Sequence, residues 1–130
     1  MFHPKKPLIL IIEDELQILR LLAGMLGNDF EIITASTFEE AADVLCNNHM
    51  FACAVLLDGN LHEVNTLPLV QLLEEAGFDL KKVIAMSGNP TMQEALINAG
   101  CFQEGLAKPF SGSKVWKVLE SAGITAARTT

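Results

Sequence analysis

Ala54-Val55-Leu56-Leu57-Asp58 is a solid apolar run closed by a carboxylate. Four aliphatic residues without polar alternation read as a strand buried on both faces, the pattern of a parallel sheet covered by helices. A carboxylate ending such a strand is costly to bury unless it has a partner or a task. Two further runs end in charge: Leu8-Ile9-Leu10-Ile11-Ile12 leads into Glu13-Asp14, and Leu106-Ala107 into Lys108. If these strands are parallel neighbours, three carboxylates and one ammonium meet at the carboxyl edge of one sheet, where open α/β folds place their sites.

Outward from these runs the pattern alternates. Leu16, Leu19, Ala23 and Leu26 recur at helical spacing and Gly27-Asn28 supplies a stop, predicting a helix over 16–26. Residues 31–35 read as a short strand, and Ser36-Thr37-Phe38-Glu39-Glu40 holds two overlapping Ser/Thr-x-x-Glu capping boxes opening a helix to about Asn47. The third strand covers 51–58. A helix over 67–76 carries Pro68 in its first turn and ends at Gly77. Then come a strand at 83–87, a helix at 91–99, a brief strand at 106–108 and a last helix at 113–122. This (βα)₅ order predicts a doubly wound, five-stranded parallel sheet in three layers with right-handed crossovers. The expected domain is 8–122, between an N-terminal extension, 1–7, and a flexible C-terminal tail, 123–130.

The 130 residues match one ordinary domain, long enough to bury a core without disulfides. Half the residues are hydrophobic and only 6% aromatic, an aliphatic palette suited to covered parallel strands. The formal charge of −7 argues against direct nucleic-acid binding, which draws its affinity from Lys and Arg on phosphates. Cys46, Cys53 and Cys101 form neither a disulfide framework nor a CxxC motif and read as small buried hydrophobes in a reducing compartment. No apolar run approaches the roughly 18 residues of a membrane span, so no membrane partner and a cytoplasmic address are expected.

Close carboxylates repel: two unit charges about 4 Å apart cost roughly 4 kcal/mol at an effective dielectric near 20. A cation among Glu13, Asp14 and Asp58 would relieve this, and oxygen ligands without His or Cys favour Mg²⁺. Screened by Mg²⁺ and Lys108, Asp58 could act as a nucleophile towards a phosphoryl donor, giving an aspartyl phosphate. Ser87 ends Val83-Ile84-Ala85-Met86 and precedes Gly88, so its hydroxyl belongs to the same edge. Glu15 reads as a first-turn acid complementing the helix dipole, His62 as a lone exposed loop histidine, and Trp116 as core or partial core.

With these motifs in order, the chain resembles the receiver domain of two-component response regulators from Leu8 to about Ala122. The matching segments are Ile11-Ile12-Glu13-Asp14-Glu15, Val55-Leu56-Leu57-Asp58, Ala85-Met86-Ser87-Gly88 and Ala107-Lys108-Pro109-Phe110. The resemblance implies a flavodoxin-like fold and a phosphoryl group taken by Asp58 from a sensor histidine kinase or phosphotransfer protein. It implies Mg²⁺ held by Asp14, Asp58 and the backbone carbonyl of Asn60, with Glu13 acting through water. It also implies that Ser87, Lys108 and the Gly59 amide contact the phosphoryl oxygens, and that Lys108-Pro109 is cis. A receiver is a phosphoacceptor with self-catalysed transfer and slow autodephosphorylation rather than an enzyme, and its output would pass to a downstream protein or a phosphorylation-dependent homodimer.

Two segments depart from the family pattern. Receivers follow the acceptor with Met-Pro and a nearby Gly, whereas this chain continues Gly59-Asn60-Leu61-His62-Glu63-Val64-Asn65-Thr66. The switch aromatic three residues before the lysine is Gly105 here, in a segment over 100–108 that looks one residue longer, with Phe102 as a stand-in. Two other readings therefore stay open: a degenerate receiver that binds partners without phosphorylation, and a small Mg²⁺-dependent phosphohydrolase. The second meets Asn60 where such enzymes carry another acid.

Overall fold

The computed structural model describes residues 6–126. The expected basic extension, for residues 1–5, and the tail from 127 onward lie outside the described residues. The elements alternate as the periodicity predicts: β1 (Leu8–Ile12), α1 (Leu16–Leu26), β2 (Glu31–Ala35), α2 (Phe38–Asn48) and β3 (Ala52–Asp58). After a small hairpin, β4 (Asn60–Leu61) and β5 (Val64–Asn65), come α3 (Leu67–Glu75), β6 (Val83–Ser87), α4 (Pro90–Asn98), β7 (Leu106–Ala107) and α5 (Gly112–Ser121). The hairpin is an addition to the predicted plan.

The five long-range strands form one parallel sheet in the order β2-β1-β3-β6-β7. The chain moves outward from β1 to β2, then crosses back to β3 and continues in the other direction. The switch point lies between β1 and β3, and there a parallel sheet opens a crevice at its carboxyl edge. The register places Ile12 beside Leu57 and Asp58 beside Met86, so Glu13, Asp14 and Asp58 emerge at one level.

Strand pleating divides the aliphatic residues between two cores. Ile9, Ile11, Leu56, Ile84 and Met86 pack with α1 and α5 residues such as Leu22, Leu26, Val115 and Leu119. Leu10, Ile12, Val55, Leu57 and Ala85 pack on the other face with Leu45, Leu69, Leu73 and Leu96 from α2, α3 and α4. Each fully buried aliphatic side chain contributes about 1.5–3 kcal/mol, which is why both faces must be covered.

The first core extends past the predicted domain end. Ile124 is buried and its N–H donates to the Leu119 carbonyl at 2.9 Å, which closes the end of α5. At α2, Thr37 accepts from the Glu40 N–H at 3.2 Å, and Glu40 reaches back to the Ser36 N–H at 3.0 Å. Of the cysteines, Cys101 is buried and Cys53 half-buried, but Cys46, on the outer face of α2, is exposed. Among the described residues, no helix is long and apolar enough to cross a membrane.

Candidate functional site

At the carboxyl edge, Lys108 binds the acids that end β1 and β3. Its Nζ donates to Glu13 Oε2 at 2.9 Å, to Asp58 Oδ2 at 3.2 Å and to Glu15 Oε1 at 3.3 Å. Strand β7 brings it there: the Lys108 N–H donates to the Ser87 carbonyl at 2.9 Å, continuing the sheet. The Lys108–Pro109 peptide bond is cis. Glu13 is 0% exposed and Asp58 5%, so both carboxyl groups are held away from water. An ammonium among carboxylates answers the desolvation that burial imposes.

Burial pushes the Glu13 carboxyl up to about 8; Lys108 opposes this and the neighbouring Asp58 reinforces it. Burial likewise raises Asp58, against hydrogen bonds from Glu13 and the Asn60 N–H and the charge of Lys108. Asp14 moves the other way. Its partial burial is outweighed by the His62 N–H, 2.8 Å from Oδ2, and by hydrogen bonds with Asp58 and Glu13, which hold it below the ordinary carboxylate range. Desolvation would lower Lys108, but Glu13 and Asp58 overcome it and hold the ammonium charged.

Glu13, Asp14 and Asp58 each offer an oxygen within 4.8 Å of the others, a group that could hold a metal ion. A cavity of about 510 Å³ opens above them, its wall including Asn60, Ser87, Gly88 and Lys108. Glu13 Oε1 lies 2.8 Å from the ammonium, yet it is buried outside hydrogen-bond geometry and accepts from nothing. Three converging carboxylate oxygens fit a hard cation.

Two predicted phosphoryl donors, the Gly59 N–H and the Ser87 hydroxyl, are engaged elsewhere. The Gly59 N–H, implied to face phosphoryl oxygens, donates to the Met86 carbonyl at 2.9 Å, because β3 and β6 stay paired one residue beyond Asp58. The Asn60 N–H donates to Asp58 Oδ1 at 3.2 Å, and its residue pairs with Asn65 across the hairpin. The Ser87 hydroxyl turns back on its own loop, donating to the Asn89 carbonyl at 3.1 Å and accepting from the Asn89 N–H at 3.0 Å. Gly88 approaches Lys108 without a clash: a Cβ there would lie 3.9 Å from that of the lysine.

Several contacts of the site were not legible in the sequence. Glu15, predicted to serve the helix dipole, instead reaches Lys108. His62 is exposed as predicted but not alone, since its N–H caps Asp14 and its Nδ1 lies 3.7 Å from the same oxygen. Thr66 is fully buried, and its hydroxyl donates to the Asp58 carbonyl at 2.6 Å. Asn89 caps α4, accepting from the Thr91 and Met92 N–H groups, a role that Asn-Pro ahead of a helix does signal. The space beside Gly105 is held by Gln93, whose Nε2 donates to the Ala85 carbonyl at 3.0 Å. A Cβ at residue 105 would strike that amide. Phe102 does not stand in there; it packs against the α1 and α5 core.

No family model matches the sequence, and no curated protein does. Solved structures do. A response regulator receiver domain protein from Clostridium thermocellum aligns at TM-score 0.74 and 23% identity over 89% of this chain and 93% of its own. The CheX-CheY-BeF3-Mg+2 complex from Borrelia burgdorferi aligns at TM-score 0.75 and 23% identity, covering 92% of this chain and 90% of that one. The beryllofluoride-activated NtrC4 receiver domain dimer gives 0.73 and 22% over 88% and 94%. This chain has the response regulator receiver fold. The receiver fold accounts for the strand order, and the acids at the switch point occupy the edge where open α/β sheets bind ligands.

Proposed function

We propose that this chain is a phosphoacceptor signalling domain whose Asp58 takes a phosphoryl group from a histidine kinase or phosphotransfer protein. The observation that carries the reading is Asp58 at the end of β3, 3.2 Å from the Lys108 ammonium and grouped with Glu13 and Asp14 beneath one cavity. In the transfer, an Asp58 oxygen forms a bond to phosphorus as the P–N bond of phosphohistidine breaks, and the bonding pair leaves with the imidazole. Lys108 compensates charge on the moving oxygens. Asp14, Asp58 and the Asn60 backbone carbonyl would hold Mg²⁺, with Glu13 acting through water. When bound, that ion supplies a Lewis acid for the phosphoryl oxygens.

The domain turns over slowly, by autodephosphorylation, and is not an enzyme in its own right. Its place is the cytoplasm and its output a protein contact. Self-association is one form of that output, a reading supported by the dimer of the activated NtrC4 receiver domain and read by gel filtration with and without beryllium fluoride.

A degenerate receiver is the second reading, favoured by the engaged Gly59 and Asp14 groups and by Gln93 beside Gly105. Intact mass after incubation with Mg²⁺ and acetyl phosphate decides between them. Gain of one phosphoryl group, lost in Asp58→Asn, supports the phosphoacceptor; no gain supports the degenerate module; rapid repeated turnover supports a phosphohydrolase.

A further inference from the structure

We infer that Glu15 is a positioning residue for Lys108, the one carboxylate that the ammonium exchanges when an anion enters the site. An ammonium has three N–H donors. All three are taken, by Glu13 Oε2, Asp58 Oδ2 and Glu15 Oε1 at 2.9, 3.2 and 3.3 Å. A phosphoryl oxygen on Asp58 therefore gains a bond from Lys108 only if one of these is released. Glu13 is fully buried, so its carboxyl group has no water to return to. Asp58 is the group that receives the phosphoryl, and the lysine must stay beside it.

Glu15 differs from both. Its side chain is 61% exposed, against 12% for Lys108 and 0% for Glu13, and it makes the longest of the three contacts. An exposed ion pair is worth little, so breaking it restores hydration at small cost. Glu15 also lines the cavity, where its charge opposes an entering anion. It holds the ammonium at the mouth of the free site and yields it to the ligand.

The consequence for ligand binding rests on the phosphoacceptor reading, whereas the contact itself does not. Heteronuclear NMR of the Lys108 ammonium in lysine-labelled protein tests the contact without any ligand. In Glu15→Gln, hydrogen exchange at that ammonium should quicken about fivefold with a shift of its resonance, and Glu15→Asp should restore part of the protection. An unchanged signal overturns the inference. Beryllium fluoride with Mg²⁺ tests the exchange. The wild-type and Glu15→Gln resonances should converge once the mimic is bound, and the variant should bind it about threefold more tightly, since one opposing charge is gone. A wild-type protein that binds the mimic while the two resonances stay apart overturns the role of Glu15 alone. A wild-type protein that binds none overturns this role and the phosphoacceptor reading together.

Discussion

The loops that follow β3 and β6 leave the same edge of the sheet and are held in opposite ways. After β6, the side-chain bonds are local: Ser87 and Asn89 close a turn on each other, and Asn89 caps α4 through Thr91 and Met92. After β3, Thr66 reaches back to the Asp58 carbonyl, and the hairpin tip is tied by His62 to Asp14, 48 residues away. That tip places His62 and Glu63 at φ 48° and 68°, a left-handed pair that Asn-Gly would adopt with less strain. One loop follows from its own residues; the other exists because β1 runs beside β3. A tie to a site carboxylate also makes the second loop answer to whatever happens at that carboxylate.

Change of pH is the strongest way to break this contrast in metal-free protein. Glu13 is raised from 4.5 to about 8 in the folded chain and Asp58 is raised too, so their contribution is full below the ordinary carboxylate range. It is lost as pH climbs through the folded values, a tenfold difference in proton affinity between folded and unfolded chains being worth about 1.4 kcal/mol. Urea unfolding in chelator should therefore show stability falling between pH 4.5 and about 8, with a flatter profile in Glu13→Gln. Asp14 has the opposite sign: its lowered value favours the fold above 3.8 and is lost as pH falls through the folded value. In acid, the His62 amide should lose hydrogen-exchange protection while the Asn89 amide keeps it.

Thr66→Val is the next largest change, since it strips a buried carbonyl of its partner. It should lower unfolding stability by about 2 kcal/mol, measured by urea denaturation. Asn89→Ala removes a helix cap and should cost about 1 kcal/mol, with frayed amides confined to the first turn of α4. Glu63→Gly sharpens the contrast from the other side. Relief of about 1 kcal/mol of left-handed strain, offset by the freedom of glycine in the unfolded chain, should leave a net gain of about 0.5 kcal/mol. A loss in Glu63→Gly would mean that the hairpin is not strained at its tip.

The fold was legible because the central strands β1, β3 and β6 are apolar runs and the helices carry apolar stripes, and both patterns are local. The acids at 13, 14 and 58 and the lysine at 108 were legible for a related reason: charge closing a buried run stands out against burial cost. The hairpin was not, because His62-Glu63 is no turn dipeptide and its stability comes from Asp14. Gln93 beside Gly105 left no trace either. Its amide matters only because α4 lies across β6 there, and its Oε1 remains a buried acceptor without a partner.

Hydrophobic period and residue chemistry settled the three-layer architecture and the convergence of opposite charges on one edge, since the energy of burying aliphatic runs and isolating charges is written residue by residue. Which donor bonds which acceptor was settled only by folding. The Gly59 amide on Met86, the His62 amide on Asp14 and the third carboxylate on Lys108 join segments remote in the chain, through polar groups whose partners depend on ångström-scale proximity rather than on any repeating pattern.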